Sequence, residues 1–277
     1  MPELPEVETV RRTLEPIIKG KKIKDVIIHY AGIIKEPNDS LAFKHRIIGQ
    51  KFTQVDRLGK FLIFHLSDDR LVSHLRMEGK YGVYEHSEPL EPHTHIIFQL
   101  DDGKELRYRD VRKFGTMHLK EPSHLLSTPP LNKLGVEPFS EHFTSEYLFQ
   151  KLRRTTRRIK PALLDQAIVT GLGNIYVDEV LYKSHIHPER IANTITFEEA
   201  KMLQQHTVQV LQEAVEHGGS SIRSYLNSLG EVGLFQLRIS VYGKEGESCP
   251  SCDTTIEKIK VGGRGTHFCP KCQPAPN

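Results

Sequence analysis

Apolar residues in the first twenty positions recur at helical spacing, at Val7, Val10, Leu14, Ile17 and Ile18. This predicts a helix that begins near Pro5, a residue suited to a first turn, and ends at Gly20, with Pro16 marking or kinking its last turn. From Lys22 to about Lys120 the period shortens. The β-rich runs Ile23–Tyr30, Phe52–Arg57, Phe61–Leu66, Leu71–Leu75, Ile96–Leu100 and Glu105–Tyr108 are punctuated by Ser67-Asp68-Asp69 and Asp101-Asp102-Gly103. That spacing predicts antiparallel strands in a sandwich or barrel. Glu121–Phe143, with Pro122, Pro129, Pro130 and Pro138, has little periodicity and reads as a linker between two domains. Helical patterns follow at Ser145–Arg154, Pro161–Ile168, Ile175–Ser184 and Phe197–His217, the last opened by the capping box Thr196-Phe-Glu-Glu199. Ser220–Gly233, with Asn227, Gly230 and Gly233, has no strong period and is the candidate mobile loop.

At 277 residues and 38 % hydrophobic content the chain can bury one large core or two ordinary ones, and two domains are expected. The net charge of +3 is too small to identify a polyanion partner, which must be argued from local clusters. No stretch reaches the apolar length of a membrane helix, and the charged start is unlike a signal peptide, so a soluble intracellular protein is expected.

All four cysteines lie near the C-terminus, as Cys249-Pro-Ser-Cys252 and Cys269-Pro-Lys-Cys272, separated by sixteen residues. Two such knuckles with no other cysteine anywhere match a structural four-thiolate zinc site better than a redox pair or two disulfides. Between them Thr255–Val261 and Thr266–Phe268 can form a hairpin whose tip, Gly262-Gly263-Arg264-Gly265, offers one arginine to a phosphate. Gly171-Leu-Gly173-Asn174 precedes a helical pattern and would place N–H groups and the Asn174 amide at a helix N-terminus, where anions bind. Upstream, Lys151, Arg153, Arg154, Arg157, Arg158 and Lys160 put six positive charges in ten residues.

In the β-rich half, Arg57-Leu-Gly59-Lys60 sets a lysine at the start of an apolar strand. His74-Leu-Arg-Met77-Glu-Gly-Lys80 and Arg109-Asp-Val-Arg112-Lys-Phe114-Gly115 each pair cations with an apolar residue beside a turn. A protein that opens a duplex needs that pairing, although on their own Met77 and Phe114 read first as core residues at strand ends. The start Met1-Pro-Glu-Leu-Pro-Glu6 has two readings of its own. Pro2 simply eases removal of Met1, or that removal exposes a secondary amine beside a carboxylate. An α-amino group titrates near about 8 and a lysine near about 10.4, so the chain end is far the more reactive at neutral pH.

Together these stretches resemble the bacterial formamidopyrimidine-DNA glycosylase family, over essentially the whole length. The resemblance rests on Pro2-Glu-Leu-Pro-Glu-Val-Glu-Thr-Val-Arg11, His74-Leu-Arg-Met-Glu-Gly-Lys80, Asp110-Val-Arg-Lys-Phe-Gly115, Gly171-Leu-Gly-Asn-Ile-Tyr176 and the terminal Gly263-Arg-Gly-Thr-His-Phe-Cys-Pro-Lys-Cys272. It implies an α+β fold of two domains: an N-terminal helix plus antiparallel β-sandwich (residues 1–120), a linker (121–143), then a helix–two-turn–helix domain (144–236) carrying a lesion-recognition loop (220–233), and a β-hairpin zinc finger (237–277). It implies a glycosylase that removes oxidised purines from duplex DNA bound between the domains and cleaves the abasic strand. Pro2 would be the nucleophile and Glu3 the acid that assists sugar-ring opening. Lys60, Asn174 and Arg264 would grip phosphates, and Met77, Arg112 and Phe114 would enter the vacated stack. His74, Lys160, Arg223 and Tyr225 would be further DNA contacts, and Glu6 would belong to the same pocket. One zinc ion on Cys249, Cys252, Cys269 and Cys272, no organic cofactor, a monomer and a cytoplasmic, nucleoid-associated location complete the expectation. Asp253 stands where the family often has glycine, and Ser228-Leu229 is individual to this chain. Two other readings stay open: a sibling of the endonuclease VIII type, acting on oxidised pyrimidines, and a catalytically silent binder of damaged DNA.

Overall fold

Helix α1 (Leu4–Ile18) begins where Glu3 is extended, with φ −99° and ψ −172°, and the Glu3 N–H donates to Glu6 Oε2 at 2.8 Å. Pro5 falls in the first turn, where no intrahelical N–H is required. Val7, Val10, Leu14 and Ile18 are fully buried, which stabilises the fold by about 1.5–3 kcal/mol for each side chain. Pro16 lies in the last turn, so the helix stops two residues later. Gly20 follows with a left-handed φ of +84°.

The computed structural model describes residues 1–220 and 233–275. Two compact units emerge, one of Met1–Asn132 with Gly218–Leu234, the other of Lys133–His217 with Phe235–Asn277. In the first, a four-stranded sheet has the order β1 (Ile23–Ile28), β7 (Thr94–Leu100), β8 (Lys104–Arg109), β6 (Lys80–Glu85). A five-stranded sheet has the order β2 (Ile34–Glu36), β9 (Thr116–Lys120), β5 (Arg70–His74), β4 (Phe61–Leu66), β3 (Phe52–Leu58). Side chains from both sheets, among them Phe52, Phe64, Phe98 and Tyr108, share one core with the apolar stripe of α1. The chain's start is thereby fixed to the most buried part of this unit.

The structure departs from the sequence reading in places that have physical reasons. Pairing is antiparallel except for β2 with β9, which is parallel. Helix α2 (Ser40–Ile47), capped by Asp39, buries only Phe43 and Ile47, too short a stripe to register as a period. Strands β6 and β9 are mixed polar sequences whose pairing comes from their neighbours β8 and β5.

The second unit contains α3 (Ser145–Arg153), α4 (Ile159–Leu164), α5 (Asn174–Lys183), α6 (Phe197–Glu216) and the hairpin β10 (Glu257–Val261)–β11 (Arg264–Phe268). Thr196 and Glu199 form the expected capping box at α6. Helix α4 is shorter than its apolar pattern because Asp165 turns the chain, its carboxylate accepting the Ala167 N–H at 2.9 Å and its carbonyl the Ile168 N–H at 2.9 Å. Helix α5 packs against α4, α6 and β11, so it is the centre of this unit. Among the described residues no helix is long and apolar enough to cross a membrane.

Candidate functional site

In the first unit Met1 is 45 % exposed while Pro2 and Glu3 are buried at the start of α1. Glu6, 3 % exposed, accepts the Glu3 N–H through Oε2 and the Ser220 N–H through Oε1, both at 2.8 Å. Its oxygens thus hold two backbone segments together at the chain's start, where Glu6 was expected to belong to the same pocket as Pro2 and Glu3. Gly219, with φ +76°, lies so close that an added Cβ would stand 2.7 Å from Glu6 Oε1. The backbone of Gly233 abuts the carbonyls of Gly218 and Gly219, so the described ends of the expected loop meet beside α1. Arg223, Tyr225 and most of loop 220–233 lie outside the described residues.

Lys60, 6 % exposed, occupies the second position of the two-residue turn between β3 and β4, after Gly59 with φ +57°. Helix α1 holds this turn through an intermediary. Arg57 donates to Glu8 Oε2 at 3.2 Å and to the Gly59 carbonyl at 2.9 Å. Burial pushes the Glu8 carboxyl up, but hydrogen bonds from Arg11 and Arg12 and the charge of Arg57 outweigh it and keep the pKa below the usual carboxylate range. Glu8 was not picked out from the sequence, since a third glutamate in Pro2-Glu-Leu-Pro-Glu-Val-Glu reads as an ordinary surface charge.

His74 ends β5, 7 % exposed, its ring edge-on to Phe61 at 4.5 Å and its Nδ1 accepting the Arg76 N–H at 2.9 Å. An accepting Nδ1 leaves the proton on Nε2, so His74 is a neutral donor suited to a phosphate oxygen. Burial, and then the charges of Arg76 and Lys60, push its pKa down to about 3. The group is therefore neutral when folded and charges when unfolded below about 6.5. Its contribution to stability is present above that pH and is lost as pH falls towards 3. Nitrogen-15 NMR should show His74 in the neutral Nε2–H form at pH 5.5; a midpoint above 5 would contradict the assignment.

The two candidate wedges stand on one support. Met77 is half-buried in the turn after β5, and Phe114 is 52 % exposed in the turn after β8 with the Arg112 guanidinium 4.7 Å from its ring centroid. Asp110 shapes the second turn, accepting the Arg112 N–H at 3.1 Å and the Gly115 N–H at 2.8 Å. The buried Tyr108 hydroxyl lies between Gly79 and Gly115, and a Cβ on either glycine would overlap it. Each turn also contains a non-glycine residue in the left-handed region, Arg76 at φ +54° and Lys113 at φ +57°. Phe114 is 52 % exposed, so it is not a core residue at a strand end. Tyr108 was missed because a tyrosine in a strand gives no sign of the glycines on either side of its hydroxyl.

In the second unit the hairpin tip is narrower than expected. Gly262 and Gly263, with φ +55° and +77°, make a two-residue turn, and Arg264 is the first residue of β11, exposed and paired with Val261. Pro161 lies beneath this tip, 2.6 Å from where a Gly262 Cβ would be. Asn174, the first residue of α5, donates from Nδ2 to the carbonyl of Gly265, the residue after Arg264, at 3.0 Å.

Lys160 requires correction. It is 0 % exposed, ion-paired with the equally buried Asp178 at 2.7 Å, and donates to the Gly265 carbonyl at 3.1 Å. An amine sealed in this way does not contact a phosphate; it braces the strand that presents Arg264. Asp178 uses its other oxygen to accept the His267 N–H at 2.9 Å. Next to it, Glu179 accepts the N–H groups of Ser240, Val241 and Tyr242 at 2.8, 2.9 and 2.9 Å. Two adjacent carboxylates of α5 thus anchor both the hairpin and the segment leading to it. Neither was visible in sequence, where Asp178-Glu179 reads as a solvated pair on a helix.

The four cysteine sulfurs lie within 4.8 Å of one another. Cys252 Sγ is 3.5 Å from both Cys269 Sγ and Cys272 Sγ, and Cys249 Sγ is 3.9 Å from Cys272 Sγ. A tetrahedron with Zn–S bonds of about 2.3 Å has edges of about 3.8 Å, so this donor set fits one structural zinc ion. Asp253, at φ +59°, takes the left-handed position that follows the first knuckle, the strain its identity implies.

Comparison with known proteins agrees with these features in order along the chain. Residues 1–117 match the formamidopyrimidine-DNA glycosylase N-terminal domain, 134–225 its H2TH domain, and 246–275 a zinc finger found in FPG and IleRS. The formamidopyrimidine-DNA glycosylases of Bacillus licheniformis and Bacillus subtilis are 56 % and 55 % identical over 273 residues, covering 99 % of this chain and 99 % of each relative. Among solved structures, wild-type Lactococcus lactis Fpg with N7-benzyl-Fapy-dG-containing DNA superposes with TM-score 0.93 at 45 % identity. It covers 99 % of this chain and 100 % of that one. The Lactococcus lactis enzyme with abasic-site DNA gives 0.92 at 44 % over the same shares. The chain belongs to the formamidopyrimidine-DNA glycosylase family.

Proposed function

We propose that this protein is a base-excision glycosylase that removes oxidised purines, 8-oxoguanine and formamidopyrimidines, from duplex DNA and then cleaves the abasic strand through an iminium formed at Pro2. Family membership over the full length supports the activity. The observation that carries the assignment of the nucleophile is the position of Pro2 and Glu3, buried at the start of a helix packed into the core. Removal of Met1 turns the Pro2 nitrogen from a tertiary amide into a secondary amine. That amine attacks C1′ as the base departs with the bonding pair. Glu3 supplies a proton to O4′ as the sugar ring opens, and the charged iminium acidifies the C2′ proton so that β- and then δ-elimination follow. Lys60 and His74 grip backbone phosphates from the first unit, and Asn174 and Arg264 do so from the second. Met77, Arg112 and Phe114 fill the stack where the base has left, offsetting the few kcal/mol of unstacking. One zinc ion on the four cysteines has a structural part only. The protein works in the bacterial cytoplasm on nucleoid DNA.

Borohydride trapping tests the reading. Duplex containing 8-oxoguanine should yield a covalent protein–DNA adduct with Met1-processed protein. Preference for an oxidised pyrimidine would move the chain to the endonuclease VIII type. Tight binding to abasic duplex with no adduct would make it a silent binder.

A further inference from the structure

Tyr182, on α5, is 6 % exposed and packs in a small apolar cluster with Val241, Cys249, Ile256 and Cys269. Its hydroxyl is 3.3 Å from Cys249 Sγ and 2.7 Å from Ser251 Oγ. A metal-bound thiolate has no proton to give, which fixes the direction of both hydrogen bonds: Tyr182 O–H donates to sulfur, and Ser251 O–H donates to the Tyr182 oxygen. The Ser251 N–H also approaches Cys249 Sγ, at 3.5 Å. Cys249 is fully buried, so the charge of its sulfur is screened by no solvent and must be met by such donors.

We propose that Ser251 and Tyr182 form a hydrogen-bond relay onto Cys249 Sγ that orients this ligand and meets the charge of its sulfur, and thereby sets how tightly the finger retains zinc. A ligand sulfur held in place by an outer hydrogen-bond donor needs less rearrangement to meet the metal, so the donor favours the metal-bound state. The relay also polarises cooperatively, since donation from Ser251 makes the Tyr182 hydroxyl a better donor to sulfur. Tyr182 thus links α5, the helix that bears Asn174 and Asp178, directly to a metal ligand. Within this relay Tyr182 is a positioning and tuning residue, not a ligand.

Tyr182→Phe keeps the buried ring and removes only the hydroxyl. Competition of the zinc-loaded full-length protein with a chromogenic chelator should show zinc held about tenfold or more weakly, the usual size of such outer-partner losses. In the cobalt(II)-substituted protein the thiolate-to-cobalt charge-transfer band should move to lower energy, because a sulfur without a donor holds its electrons less tightly. Ser251→Ala, at an exposed position that disturbs no core packing, should change both readouts in the same direction by less. Unchanged zinc affinity in Tyr182→Phe would overturn the proposal. So would weaker binding with an unmoved band, which would trace the effect to packing alone.

Discussion

Protein in which Pro2 stays acylated, by an uncleaved N-terminal tag, should give no borohydride-trapped adduct and should lose base excision and strand cleavage at least ~10³-fold. An amide nitrogen shares its lone pair with the carbonyl and cannot open a sugar at C1′. Abasic-duplex affinity separates loss of chemistry from loss of binding: it should change little if the tag blocks only the nucleophile. Processed Pro2→Ala, which puts a primary amine in place of the secondary one, should still form some adduct. Equal trapping by tagged and processed protein would remove Pro2 from the reaction.

Much of this site was legible because its chemistry lies in residue types with fixed local demands. The cysteine knuckles, the glycine pair before Arg264, the first-turn Pro5 of α1 and the capping of α6 each announce themselves within a few positions, and the structure contains all of them. What stayed hidden depends on contacts between distant segments. The Arg57 guanidinium that joins Glu8 to the Gly59 carbonyl spans 49 residues of sequence, and the Asp178 bond to His267 spans 89. A charged residue looks the same in sequence whether it faces water or is sealed against a partner. For that reason Lys160 was read as one more cation in a basic run, although its burial takes it out of contact with any ligand. Strand β2 was hidden for the same reason: three residues form a strand only because β9 is beside them.

The sealed pair Lys160–Asp178 leads to the second large effect. Asp178→Ala leaves an ammonium group at 0 % exposure without its counter-charge, which should cost about 3–5 kcal/mol and lower the melting temperature by on the order of 10 °C. Stability alone would not show that the pair serves the site, because any buried ion pair gives that result when broken. The double variant Lys160→Met/Asp178→Leu separates the two. Replacing both charges with apolar groups of similar volume removes the unpaired charge, so most of the melting temperature should return. The Gly265 carbonyl still loses the Lys160 donor and keeps only that of Asn174, and the His267 N–H still loses its acceptor, so β11 remains more loosely held at both points. On the role proposed for Arg264, next to Gly265, its guanidinium is then less well placed for a phosphate. The stable double variant should therefore bind abasic duplex more weakly, with a salt-dependence slope shallower by about one unit, as Arg264→Ala should. A double variant that is both stable and indistinguishable from wild type in affinity and slope would show that the ion pair holds the fold and has no part in presenting Arg264.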